Sequence, residues 1–108
     1  MPFMRTIEWT SQFKRDYKRE SKGRYRATLD TDLFPIIETL ANDQQLALHQ
    51  RDHALTGNWK DHRDCYIKPD LILIYQKPGN ATLRLVRLEF SDTCIGFSVT
   101  IFFVNQRR

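Results

Sequence analysis

Three side chains from the middle of the chain onward have the chemistry to handle a phosphodiester: His53, Asp70 and Arg87. Histidine is the side chain that exchanges a proton most readily near neutrality. A carboxylate can orient an imidazolium or balance its charge. A guanidinium can hold a phosphate and the extra negative charge of a pentavalent transition state. The stretch from 53 to 75, HALTGNWKDHRDCYIKPDLILIY, supplies two of the three and a second imidazole at His62. The same residue types also occur together as the ordinary solvated edge of a small sheet, so their meaning depends on what positions them.

For the three groups to meet, strands must carry them to one end of a sheet. Residues 62–67 (HRDCYI) alternate, Pro69-Asp70 marks a turn, and LILIY (71–75) reads as a fully buried strand. KPGN (77–80) is a second turn, and TLRLVRL (82–88) alternates again. The spacing predicts an antiparallel meander that projects Asp70 from a turn and carries Arg87 on its last strand. Upstream, MRTIEW (4–9) predicts a short first strand. Thr10 or Ser11 can cap a helix with Phe13 and Tyr17 on one face, ending near Gly23. Leu29, Leu33, Ile36, Ile37 and Leu40 form the stripe of a second helix, with Thr31 or Asp32 as its cap so that Pro35 falls in the first turn. Residues 41–52 read as a polar connection anchored by Leu46 and Leu48, and GFSVTIFFV (96–104) as an additional edge strand. The predicted fold class is α+β: an N-terminal strand and two helices packed on an antiparallel sheet of about four to five strands. It forms a single domain over residues 1–108.

Composition narrows the class of function. A chain of 108 residues with 41% hydrophobic and 28% charged residues is long enough for one core and too apolar to be disordered. It has no apolar run long enough for a spanning helix and no signal-peptide pattern at its start, so the expectation is a cytoplasmic protein with no membrane contact. Cys65 and Cys94 have no metal-ligand spacing and read as free thiols, and neither a metal nor a cofactor is expected. The net charge is +4, and seven basic residues lie between Lys14 and Arg26 against only Asp16 and Glu20. Such a patch suits a polyanion, either nucleic acid or an acidic protein, or is simply a solvated helix face.

The stretch from 53 to 75 closely resembles the signature of YafQ-type toxins of the RelE/ParE superfamily. The matching residues are His53, Leu55, Gly57, Trp59, Lys60, Arg63, Asp64, Pro69, Asp70, Leu73, Ile74 and Tyr75. LRLVR (83–87) extends the match, and the order of the N-terminal elements agrees, so the resemblance covers about residues 4–87. It implies a RelE-like microbial ribonuclease fold and a type II toxin held inactive by a DinJ- or RelB-like antitoxin. Free toxin would enter the ribosomal A site and cut mRNA without a metal. The ribose 2′-hydroxyl attacks the adjacent phosphate, leaving a cyclic phosphate and a free 5′-hydroxyl.

Carried over by position, His53 is a proton-transfer residue, Asp70 a catalytic-site aspartate and Arg87 the arginine that binds the scissile phosphate. Tyr66 stands where the family has histidine, and Leu71 where it has tryptophan. Lys60, Arg63 and Lys68 are expected to contact RNA phosphates. Asp64, beside Arg63, reads as a structural hydrogen-bond acceptor, and Trp9 and Trp59 as packing residues. Beyond Arg87 the family continues into a Gly-Ser/Thr-His segment; here Ser91 occupies the histidine position, and no histidine follows His62. Residues 88–108 are therefore an atypical C-terminal segment. Serine is neither acid nor base near pH 7, so cleavage is expected to be weakened unless His62 or Tyr66 compensates. Two other functions remain open: a ParE-like toxin that inhibits gyrase without cleaving anything, and an inactive toxin that only binds antitoxin.

Overall fold

A computed structural model describes residues 4–90. The chain begins with a short strand β1 (Thr6–Trp9), followed by helices α1 (Ser11–Glu20) and α2 (Leu29–Ala41). Strand β2 (His53–Ala54) has two residues, and β3 (Arg63–Lys68), β4 (Leu71–Gln76) and β5 (Thr82–Phe90) complete the sheet. The five strands lie in the order β1-β5-β4-β3-β2. From β2 to β5 each pair is antiparallel, as the turn signals require, whereas β1 joins β5 in parallel. The sheet is thus mixed. The reason is topological: both helices lie between β1 and the meander, and so long a connection can return the chain in the same direction.

The apolar periodicities place the core. Phe13 of α1 and Leu29, Leu33, Ile36, Ile37 and Leu40 of α2 pack with Cys65, Ile67, Leu73, Tyr75, Leu83, Leu85 and Leu88 from one face of the sheet. The other face carries a smaller cluster of Leu55, Trp59, Tyr66, Ile72 and Ile74. LILIY is buried on both faces, as its uninterrupted apolar run implies. Trp9 packs edge-on against Phe13 and Tyr17, and Trp59 is buried in the second cluster, so both indoles are packing residues.

Thr10 caps α1, its hydroxyl accepting the Phe13 amide at 3.1 Å. The helix stops at Glu20, ahead of Gly23. α2 starts at Leu29, not after Thr31 or Asp32, because Leu29 is itself a core residue; Pro35 therefore lies in the helix interior, on its exposed side. Its missing donor is tolerated because the stripe beneath it is fully packed. Leu46 reaches the core, but Leu48 is 96% exposed and anchors nothing. Residues 88–90 continue β5. The strand expected over 96–104, together with Ser91 and Cys94, lies outside the described residues.

After Trp9 the parallel partner of β5 ends, and α1 takes over that edge. The Thr10 hydroxyl donates to the Leu85 carbonyl at 2.8 Å, the Leu88 amide donates to Asp16 Oδ2 at 3.0 Å, and Arg19 Nη2 donates to the Leu88 carbonyl at 2.9 Å. An edge that would otherwise present unpaired backbone groups is closed by side chains from one helix.

Candidate functional site

Strand register assembles the site. His53 on β2 faces Asp64 on β3, Asp64 faces Ile74 on β4, and Ile74 faces Arg87 on β5. Residues directly opposite across an antiparallel pair point to the same side. His53, Asp64 and Arg87 therefore share one row on the face away from the helices, with the outer two separated by three strand spacings, about 14 Å.

Arg87 reaches that face through a bulge. Tyr75 pairs with Leu85 but Ile74 pairs with Arg87, so Val86 is an extra residue in β5. In a regular strand Arg84 and Arg87, three apart, would point to opposite sides. The inserted residue turns both to the same one. Arg87 is 8% exposed and is held by two carboxylates. Its Nε donates to Asp16 Oδ2 at 2.7 Å, and its Nη2 lies 2.5 Å from Glu89 Oε2. Burial would raise the Asp16 carboxyl, but hydrogen bonds from Arg87, the Leu88 amide and Gln12 outweigh it and hold Asp16 below the ordinary carboxylate range.

At the other end of the row, His53 Nδ1 lies 2.9 Å from the Arg51 carbonyl and 3.1 Å from Asp64 Oδ1. A carbonyl only accepts, so the hydrogen bond to Arg51 places a proton on Nδ1, beside the carboxylate. Asp64 has no exposed surface, and desolvation pushes its carboxyl up to about 6, opposed by the neighbouring imidazole and reinforced by Asp52. The imidazole thus stands against a carboxyl that holds its proton to a higher pH than an exposed aspartate does. The imidazole's carboxylate partner is Asp64, expected from its place beside Arg63 to be a structural hydrogen-bond acceptor.

Asp70 is placed elsewhere. It sits in the β3–β4 turn, where Arg24 Nη1 donates to one carboxylate oxygen at 2.7 Å and the Tyr25 hydroxyl to the other at 2.6 Å. It ties the α1–α2 connection to the end of the sheet, four residues along β4 from the His53 row. Tyr66 lies on the same face as that row, with Ile72 between it and Glu89. Of the three expected RNA-contacting cations, Arg63 pairs with Asp52 at 3.0 Å and Lys68 with Asp32, the Lys68 ammonium also lying 4.9 Å from the centre of the Tyr25 ring. Lys60 is exposed and makes no ion pair among the described residues.

A cleft of about 510 Å³ opens beside Arg87 on the same face. Thr10, Gln12, Asn58, Trp59, His62, Gln76, Arg84, Val86 and Arg87 line it. Gly57, at a φ of 66°, starts a short 3-10 turn (Gly57–Trp59) that sets Trp59 against the sheet. Cys65 is buried and unpaired, its thiol pushed well up by desolvation and so unreactive. Among the described residues no group of three or more His, Cys, Asp or Glu side chains could hold a metal ion, and no helix is long and apolar enough to cross a membrane.

The family model described as the bacterial toxin of type II toxin–antitoxin systems, YafQ, matches residues 5–91. The mRNA interferase toxin YafQ of Escherichia coli is 35% identical over 91 residues, covering 82% of this chain and 90% of that protein. The solved E. coli DinJ–YafQ complex contains a chain of 32% identity and TM-score 0.70, covering 85% of this chain and 99% of that one. A copper-bound mutant toxin from Helicobacter pylori is similar at 31% identity and TM-score 0.73, over 86% of this chain and all of the other.

Proposed function

The chain belongs to the YafQ family of toxins from type II toxin–antitoxin systems, and on that premise we propose that it is a ribosome-dependent mRNA endonuclease that inhibits translation. The observation that carries this reading is the match across residues 5–91, which contains His53, Tyr66, Asp70 and Arg87. The row geometry supports it. A proton-transfer pair, His53 with Asp64, and a guanidinium, Arg87, occupy one face of one sheet.

In the proposed reaction the substrate supplies its own nucleophile. A base takes the proton of the ribose 2′-hydroxyl, the oxygen attacks the adjacent phosphorus, and the 5′-oxygen leaves with a proton from an acid. The products are a 2′,3′-cyclic phosphate and a 5′-hydroxyl end, and no step calls for a metal. His53, held by Asp64, exchanges a proton with the reacting oxygens. Arg87, fixed from behind by Asp16, takes the scissile phosphate. Tyr66 offers a hydroxyl as donor, since a phenol is a poor base near neutrality. Asp70 acts through the α1–α2 connection that it secures. Lys60, with Arg63 and Lys68 flanking, meets the RNA backbone. The chain works in the cytoplasm on mRNA in the ribosome, and an antitoxin of the DinJ type restrains it, as DinJ partners the E. coli toxin.

Ser91, where the family's histidine belongs, leaves one proton-transfer position without an acid or base. Loss of such a group costs about 10²–10⁴-fold in rate. Purified chain and its Ser91→His variant, added to ribosomes programmed with mRNA, test both points. Cleavage is expected from both, faster by about 10²-fold in the variant. Equal, robust rates would remove the histidine argument. Absence of cut mRNA in both, with translation undiminished on induced expression, would remove the nuclease reading.

A further inference from the structure

The cleft beside Arg87 lies outside the roles assigned above to His53, Tyr66 and Asp70. Its upper wall is a pair of rings: Trp59 is buried, and His62 stands edge-on to it, their centres 5.1 Å apart. His62 Nδ1 is 3.2 Å from the Lys60 carbonyl, which fixes the proton on that nitrogen and locks the ring in place. The floor is β5, where the bulge brings Arg84 and Arg87 to one side within about 10 Å of each other. Arg84 is braced by Glu8 at 3.0 Å and by Gln76 at 2.9 Å. The rim adds the amide side chains of Gln12 and Asn58. The volume suits one small ligand. A half-exposed ring held upright, two fixed cations on one strand and amides at the rim match what single-stranded RNA presents: a base to stack, phosphates and base edges.

We propose that this cleft is a subsite for one nucleotide of the RNA, in which a base stacks on His62 while Arg84 and Arg87 hold the phosphates that flank it. The proposal rests on the nuclease reading for the identity of its ligand and extends it. One wall of the substrate channel is then the Trp59–His62 pair, and the nucleotide next to the scissile phosphate is selected there. An acidic protein segment would use the arginines without the ring.

The test is titration of the full chain, with labelled histidine and tryptophan rings, by a 2′-O-methylated RNA trinucleotide that resists cleavage. Inorganic phosphate and a nucleoside are titrated separately. The trinucleotide is expected to shift the His62 and Trp59 ring signals, and its affinity to fall about tenfold in His62→Ala and in Arg84→Gln. In ribosome-programmed cleavage the same variants should raise KM about tenfold with kcat unchanged. Trinucleotide binding that leaves the His62 and Trp59 signals unmoved would overturn the proposal. So would shifts fully reproduced by phosphate alone. If mRNA is cut normally by His62→Ala, the subsite fails and the nuclease stands. If the trinucleotide seats on His62 but mRNA is never cut, the subsite stands and the nuclease fails.

Discussion

At the scale of single residues, two buried aspartates are pulled in opposite directions, and their pH signatures should differ in sign. Asp64 is raised to about 6 by desolvation, so between its unfolded value near 3.9 and about 6 the native state binds more protons than the unfolded one. Its contribution to stability is therefore full below the unfolded value and is lost as pH rises through about 6. Asp64→Asn removes that loss. In urea titrations the variant should gain on the parent by about 2 kcal/mol between pH 4.5 and pH 7.5, and a constant difference across that range would show that Asp64 is not titrating there. The sequence exposed His53 and Arg87 as reactive types. It did not expose Asp64 as the imidazole's partner, because the two are eleven positions apart and meet only through a two-residue strand too short to carry a periodic signal. Asp70, by contrast, stands out beside Pro69 in a turn, yet its carboxylate is committed to Arg24 and Tyr25.

At the scale of elements, α1 does more than cover the core. It finishes the edge of β5 where β1 stops, and Asp16 is the centre of that seam, accepting from Gln12, Arg19, Arg87 and the Leu88 amide. Removing its charge leaves Arg87 buried with Glu89 alone, and breaking a buried pair in this way costs about 3–5 kcal/mol. Asp16→Asn is expected to lower stability by a figure near the lower end of that range at neutral pH. Because the Asp16 carboxyl is held low, its stabilisation is present above the unfolded value near 3.9 and disappears as pH falls through the lower folded one. The gap between parent and variant should close in acid; a gap that persists at pH 2 would mean that the seam depends on shape and not on charge. The apolar stripe of α2 and the turn residues of the meander were legible from spacing alone. The parallel placement of β1 and the bulge at Val86 were not, since both are settled by how distant segments pair and neither leaves a local pattern. Pro35 shows a related effect: its local preference is for the first turn, but burial of Leu29 moves the start of α2 upstream and leaves Pro35 in the helix interior.

At the scale of the whole molecule, charge is divided between two sides. Lys14, Lys18, Lys22 and Arg26 project from α1 and the connection after it, exposed and without an ion pair among the described residues, whereas Arg15, Arg19 and Arg24 are tied to Gln12, to Asp16 and Glu20, and to Asp70. These four exposed cations belong to the helix layer, and the candidate cleft opens on the other face of the sheet. An acidic antitoxin that approaches the helix layer would be drawn by those cations before any apolar contact forms, and at exposed sites such attraction acts on the rate of encounter more than on the final affinity. Replacing Lys14, Lys18 and Lys22 together by glutamine should slow association with a DinJ-type antitoxin by about tenfold or more at low salt, leave dissociation nearly unchanged, and flatten the dependence of the association rate on ionic strength. Cleavage by the free variant should be far less affected, because the groups proposed to react lie on the other face. Stopped-flow association measured from low to physiological salt reads this directly. A parent rate that does not vary with salt would mean that the basic helix face serves solubility, and that antitoxin recognition is decided by other surfaces.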